Sequence, residues 1–352
     1  MNRQLSVFHN AKIFHLLIAL GTFICPTGHC FSQSKVVCHF NQLLVEDGLT
    51  SQTYNHHVFQ DAQAFVWINS LNGLNRYDGA KIKQFKSTDR DSLTLLDDGL
   101  NSPFFETSRD ALWFSSRQAI YSFSPITEEF SSFRLVPSSV DTVNDFQLKF
   151  IDQKNKLGWA RIRHRLYVFP LENPERAYPV WQSPLVDYRS IFRTSTNEQQ
   201  TILYSHAGLG FHVKILETDP AANEESPFRT FFKGKRVYCS LYKEPHTAWV
   251  GLRDGLGKVN IENLTAPIGA DTLINEEIRD IVGLALLNDD TLIVATQKTG
   301  IYLYDQQTNQ YIGKLYQHSD QGISAFQKEI EYIYLAPDST LWISSQGNGV
   351  YF

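Results

Sequence analysis

Short apolar runs, each followed within a few positions by a glycine and a second apolar run, recur from residue 65 to the end of the chain. In Phe65–Asp78 a stretch of aromatic and β-branched residues around Trp67 predicts a buried strand. Asn72-Gly73 tolerates φ > 0 and marks a turn, and Leu74–Tyr77 reads as the returning strand. A lone hairpin cannot bury its faces, so it needs neighbours. The sequence supplies them as copies. Trp113 precedes Ala119-Ile120-Tyr121, Trp159 precedes Leu166-Tyr167, and Ile202 precedes Gly208-Leu209-Gly210. Trp249 precedes Gly255, Ile293 precedes Gly300 and Trp342 precedes Gly349. The anchors at 67, 113, 159, 202, 249, 293 and 342 stand 46, 46, 43, 47, 44 and 49 residues apart. A strand-rich repeat of this length is the mark of a four-stranded propeller blade. The expectation is an all-β, seven-bladed β-propeller with Trp67, Gly73, Trp113, Trp159, Gly208, Trp249, Gly255, Gly300, Trp342 and Gly349 as structural anchors.

The last repeat offers three strands, ending in Val350–Phe352, while Lys35–Leu44 has no place in the first blade. Pairing that N-terminal strand with the last blade would remove the open edge and close the ring. Residues 1–32 carry Arg3 and Lys12 before the apolar run Ile13–Cys25, the pattern of a signal peptide, with small residues favouring cleavage before Gln33. Ile24 and His29, preceding Cys25 and Cys30, disfavour a lipoprotein. The expected domains are 1–32, a leader, and 33–352, a single propeller with no transmembrane span.

Gly48-Leu49-Thr50-Ser51, Val58-Phe59-Gln60-Asp61, Phe65-Val66-Trp67-Ile68 and Gly73-Leu74-Asn75-Arg76-Tyr77-Asp78-Gly79 resemble the two-component regulator propeller repeat. That repeat builds the periplasmic sensor of hybrid two-component systems, mostly in Bacteroidetes. The resemblance implies a periplasmic, glycan-responsive sensor whose partner is a membrane histidine kinase or a further propeller. No kinase modules follow in this sequence, so the chain is expected to bind a ligand but not to signal by itself.

Charge narrows the partners. Formal charge is −5 over 352 residues, and becomes −7 when Arg3 and Lys12 leave with a leader that holds no acid. With no overall basic field, nucleic acid is not an expected partner. Cys38 and Cys239 are too far apart to make a ligand-spaced cluster and are expected on an outer and an inner strand as buried or half-buried thiols.

Catalytic and metal motifs are sparse. Gly208-Leu209-Gly210 and Gly255-Leu256-Gly257 are turn glycines with no helix behind them. His56-His57, adjacent on one strand, should point to opposite faces and so not chelate one ion. Asp97-Asp98 and Asp289-Asp290 adjoin turns, where Asp serves the backbone. No catalytic residue, metal or cofactor is expected. The turns joining second and third strands carry Asn72, Arg117, Arg163, His164, His206, Arg253, Lys298 and Asn348, all on one face. A cleft lined by one charge focuses a field on its opposite, so these residues are the candidate ligand site, with an acidic oligosaccharide favoured. The competing readings are a protein-interaction platform in the envelope and, behind it, a polysaccharide hydrolase or lyase.

Overall fold

The computed structural model describes residues 34–52, 55–87, 95–108, 111–135, 146–153, 155–162, 165–182, 190–196, 199–206, 210–216, 229–243, 247–261, 272–276, 278–319, 322–326 and 328–352. Nearly all of their regular structure is antiparallel strand, arranged as blades whose strands follow one another in the chain. The first sheet is representative. Asn55–Gln60 pairs with Val66–Ser70, which pairs with Gly73–Tyr77, which pairs with Ile82–Phe85. The second sheet runs through Phe105–Ser108, Ala111–Ser115, Ile120–Ser124 and Glu129–Phe133. In the third, Phe146–Asp152, Leu157–Ile162, Arg165–Pro170 and Tyr178–Gln182 follow the same plan.

Two expectations need correction. Seven like blades closed by one strand, Lys35–Leu44, do not describe this propeller. Six sheets are four-stranded blades, and another, built on Ile281–Leu286, Thr291–Thr296, Ile301–Asp305 and Gln310–Ser319, has six strands. Nor is Lys35–Leu44 a single strand. Ser34–Cys38 lies parallel to Gln310–Ser319 in the six-stranded sheet, and Gln42–Leu43 alone pairs with Gly349–Tyr351. The physical cause is the unusual length of Gln310–Ser319, whose outer edge would otherwise be open. Gly313 permits the approach, because a Cβ there would stand 2.9 Å from the Ser34 carbonyl oxygen. Gly322–Ala325 adds the sixth strand.

The tryptophans follow one packing rule. Four of the five anchor tryptophans lie against an aromatic residue of the third strand in the next sheet: Trp67 on Phe123 at 5.1 Å, Trp113 on Phe169 at 6.1 Å, Trp249 on Tyr304 at 5.4 Å. Trp342 meets Tyr77 of the first sheet at 6.2 Å by the same rule, so the last and first sheets share a core with Leu49, Val58 and Val350. Such aromatic pairs add about 0.5–1.5 kcal/mol each beyond the area they bury.

The anchor glycines answer a different need. Gly73 and Gly255 have φ of 118° and 153°, and a Cβ would fall 2.6 Å from the Phe85 carbonyl oxygen and 2.2 Å from that of Asn275. The outer strand therefore comes too close for any side chain. In the fourth sheet, of Ser190–Thr196, Gln199–His206, Gly210–Leu216 and Arg229–Phe231, the glycine with φ of 110° is Gly210, whereas Gly208 lies outside the described residues. Cys38 lies on an outer strand and Cys239 on an inner strand, both as free thiols. Burial pushes the Cys239 thiol up to about 12 and raises Cys38 as well.

Candidate functional site

The repeat motif proves to be structural in its polar residues too. Asp61 accepts hydrogen bonds from the Trp67 indole at 2.7 Å and from the Phe65 and Gln63 amides at 2.9 and 3.0 Å. Asn75 accepts from the Thr50 amide and donates to the Ile68 carbonyl. Arg76 reaches Glu128 of the second sheet at 3.1 Å, and Asp78 caps its own turn by accepting from Ala80 and Lys81. Those backbone amides hold the Asp78 carboxyl below its ordinary range.

The turns between second and third strands share a face with the starts of the inner strands. There a main-chain relay joins one sheet to the next. Arg253 donates to the Arg236 carbonyl and accepts from Asp280 at 2.9 Å; Asp280 then accepts from Gln297, and Gln297 from Ile330. Gln346 donates to Glu329, and Phe146 donates to Arg117. The backbone of this mouth is thus fixed, while Arg117, Arg253 and Lys298 stay exposed, with no side-chain ion pair or hydrogen bond among the described residues. Asp280 links through its backbone the turns that bear Arg253 and Lys298. Asn72 is exposed and Asn348 is half-buried, spending its amide on Gln346 and Ser345. Arg163 and His164 lie outside the described residues, as does the side chain of His206.

Sequence reading missed Asp280, Glu329 and Glu331 at this mouth. The inner strands carry a bulge at their second residue, which is His56, Tyr238, Val282 or Glu331 in four of the sheets. The side chain of His56 lies outside the described residues; His57 packs edge-on against Tyr332 at 4.7 Å. Glu331 keeps an enclosed Oε2 that meets no partner among the described residues. Burial first, and Glu329 second, push its carboxyl up to about 7. Glu329 accepts from Gln297 at 3.1 Å, Asp280 accepts from Tyr238 at 3.3 Å, and Asp254 lies 3.7 Å from Lys235. The mouth is therefore mixed in charge, not a purely cationic cleft. No group of three or more metal-ligating side chains occurs among the described residues, and no described helix is long and apolar enough to cross a membrane.

No family model and no curated protein sequence matches the chain. Its fold does have close parallels among solved structures. The extracellular domain of the hybrid two-component system BT3049 from B. thetaiotaomicron superposes with a TM-score of 0.67 at 21% identity over 89% of this chain. That of BT4673 from the same organism gives 0.63 at 16% identity, again over 89%. PorZ, a surface component of the type-IX secretion system of Porphyromonas gingivalis, gives 0.63 at 12% identity over 87%. The chain spans 41%, 39% and 47% of those three chains. The likeness to all three is one of fold, that of a β-propeller.

Proposed function

We propose that the chain is the ligand-binding propeller of a periplasmic sensor, related in role to the extracellular domains of hybrid two-component systems. The observation that carries this reading is the fold likeness to two such domains across 89% of the chain. It agrees with the repeat motif of residues 48–79. The ligand is a glycan fragment bearing carboxylate or sulfate, held at the mouth by Arg253 and Lys298, whose side chains are exposed and have no ion-pair partner among the described residues. Guanidinium suits such groups because its planar fork donates two parallel hydrogen bonds. The nearby Asp280, Glu329 and Glu331 act against bulk anions and favour a ligand that also presents hydroxyls. The signal passes to a membrane histidine kinase or a further propeller, and the chain itself binds rather than catalyses.

Calorimetry with neutral and acidic oligosaccharides at low and high salt tests the reading. Acidic ligands should bind more tightly, weaken with salt because wet contacts are screened over about 8–10 Å, and weaken again in Arg253→Ala/Lys298→Ala. Tight, salt-insensitive binding of a neutral glycan to that double variant would sink the assignment of the mouth. If no saccharide binds while one envelope protein co-purifies stoichiometrically, the interaction-platform reading replaces it.

A further inference from the structure

The turns joining first and second strands lie on the face opposite the mouth, and there the indole N–H of Trp67 and of Trp249 has a side-chain acceptor, while the enclosed Trp342 Nε1 has none among the described residues. In the first sheet the acceptor is the residue six before the tryptophan, Asp61. Trp249 instead donates to Gln306 of the neighbouring sheet at 3.1 Å. In the second sheet the residue six before Trp113 is Thr107, shorter than Asp, with its hydroxyl committed to the Ala111 carbonyl at 3.4 Å. Trp113 Nε1 finds no partner among the described residues. Beside Thr107 and Trp113 is a cleft of about 350 Å³, lined also by Gln153, Lys156, Leu171 and Glu172.

We propose that this cleft between the second and third sheets binds a small neutral polyhydroxyl compound of monosaccharide size, one of whose oxygens accepts from Trp113 Nε1–H. The charge of the lining decides against an ion, since its cation and its anion, Lys156 and Glu172, neutralise each other at 2.8 Å. The remaining polar groups are of both kinds. Trp113 donates, while Gln153, whose Nε2 is spent on the Glu106 carbonyl, offers its oxygen as an acceptor. Hydroxyls both donate and accept, so a polyol satisfies such a wall where a single-function ligand does not. Trp113 is stacked on Phe133 with planes 17° apart, which fixes the direction of its N–H, and Leu171 gives an apolar floor. The volume lies at the lower end of small-molecule pockets, about 300–1,000 Å³. Leu171 N bonds to the Lys156 carbonyl at 2.9 Å, tying the two turns that form the outer wall.

The test uses glucose and galactose, with glucuronate as the charged counterpart, titrated into the protein and followed by calorimetry and saturation-transfer NMR. Thr107→Asp recreates the arrangement of the first sheet: its carboxylate should take the indole, fill the cleft and abolish binding while the fold is kept. Trp113→Phe removes one hydrogen bond and should weaken binding about five- to tenfold. Arg253→Ala/Lys298→Ala should leave binding unchanged, which separates this site from the mouth. Equal binding by the wild type and Thr107→Asp overturns the proposal. So does the lack of any saturable response to the neutral sugars, or a strong preference for glucuronate.

Discussion

Removing the Asp61 carboxylate should be among the costliest polar substitutions in the first blade. Asp61 is 6% exposed and Trp67 fully buried. In Asp61→Ala the indole N–H is left without an acceptor in a place water does not reach, a loss of about 1–3 kcal/mol. The amides of Gln63 and Phe65 also lose their acceptor, but their turn borders on solvent and can hydrate, at roughly 0.5 kcal/mol each. The total is about 3 kcal/mol. An unfolding entropy of about 2.1 cal/mol/K per residue over roughly 320 residues makes this a fall of about 4–5 °C in Tm if the unit Gln33–Phe352 melts cooperatively. Circular dichroism melts and urea titrations give the number. The same substitution in a Trp67→Phe background isolates the indole, and its cost should shrink by about 1–2 kcal/mol. A cost below about 1 kcal/mol, or an equal cost in both backgrounds, would refute the assignment of Asp61 as the partner on which the Trp67 strand depends.

Two further outcomes can be checked by the same methods. Gly255→Ala should destabilise by at least about 3 kcal/mol, from strain at φ of 153° and a Cβ 2.2 Å from the Asn275 carbonyl oxygen, while Gly79→Ala, with nothing within 4 Å, should cost only about 1 kcal/mol of backbone strain. Glu331 has a folded pKa raised above its unfolded value, so the unfolded chain sheds the proton first and stability from this group falls as pH rises from about 4.5 to about 7. Glu331→Gln should therefore gain on the wild type over that window, by about 1–2 kcal/mol after allowance for partial exposure, and a constant difference between the two from pH 4.5 to 8 would exclude the shift.

Much of this was legible in the sequence because the propeller repeats its signals locally. The tryptophans at 67, 113, 249 and 342 mark second strands, and the neighbouring glycines mark turns, since both respond to contacts within one blade. The fate of Lys35–Leu44 was not legible, because its pairing depends on the length of Gln310–Ser319, far along the chain. Asp280, Glu329 and Glu331 escaped for another reason. Glu331 reads as one more residue of an alternating strand until the bulge after Ile330 shows it to be out of register. The Trp113 cleft had a signal that a comparison of repeats could have found: Thr107 stands where Asp61 stands one blade earlier.

The main-chain relay around the mouth also bears on how such a surface changes over time. Arg117, Arg253, Gln297 and Gln346 hold equivalent positions in it through amide and carbonyl groups alone. Because every residue but proline brings the same amide and carbonyl, exchange of the side chain leaves the scaffold intact. Arginine already alternates with glutamine there. Selection can therefore rewrite the chemistry displayed on this rim, one blade at a time, without first having to rescue the fold.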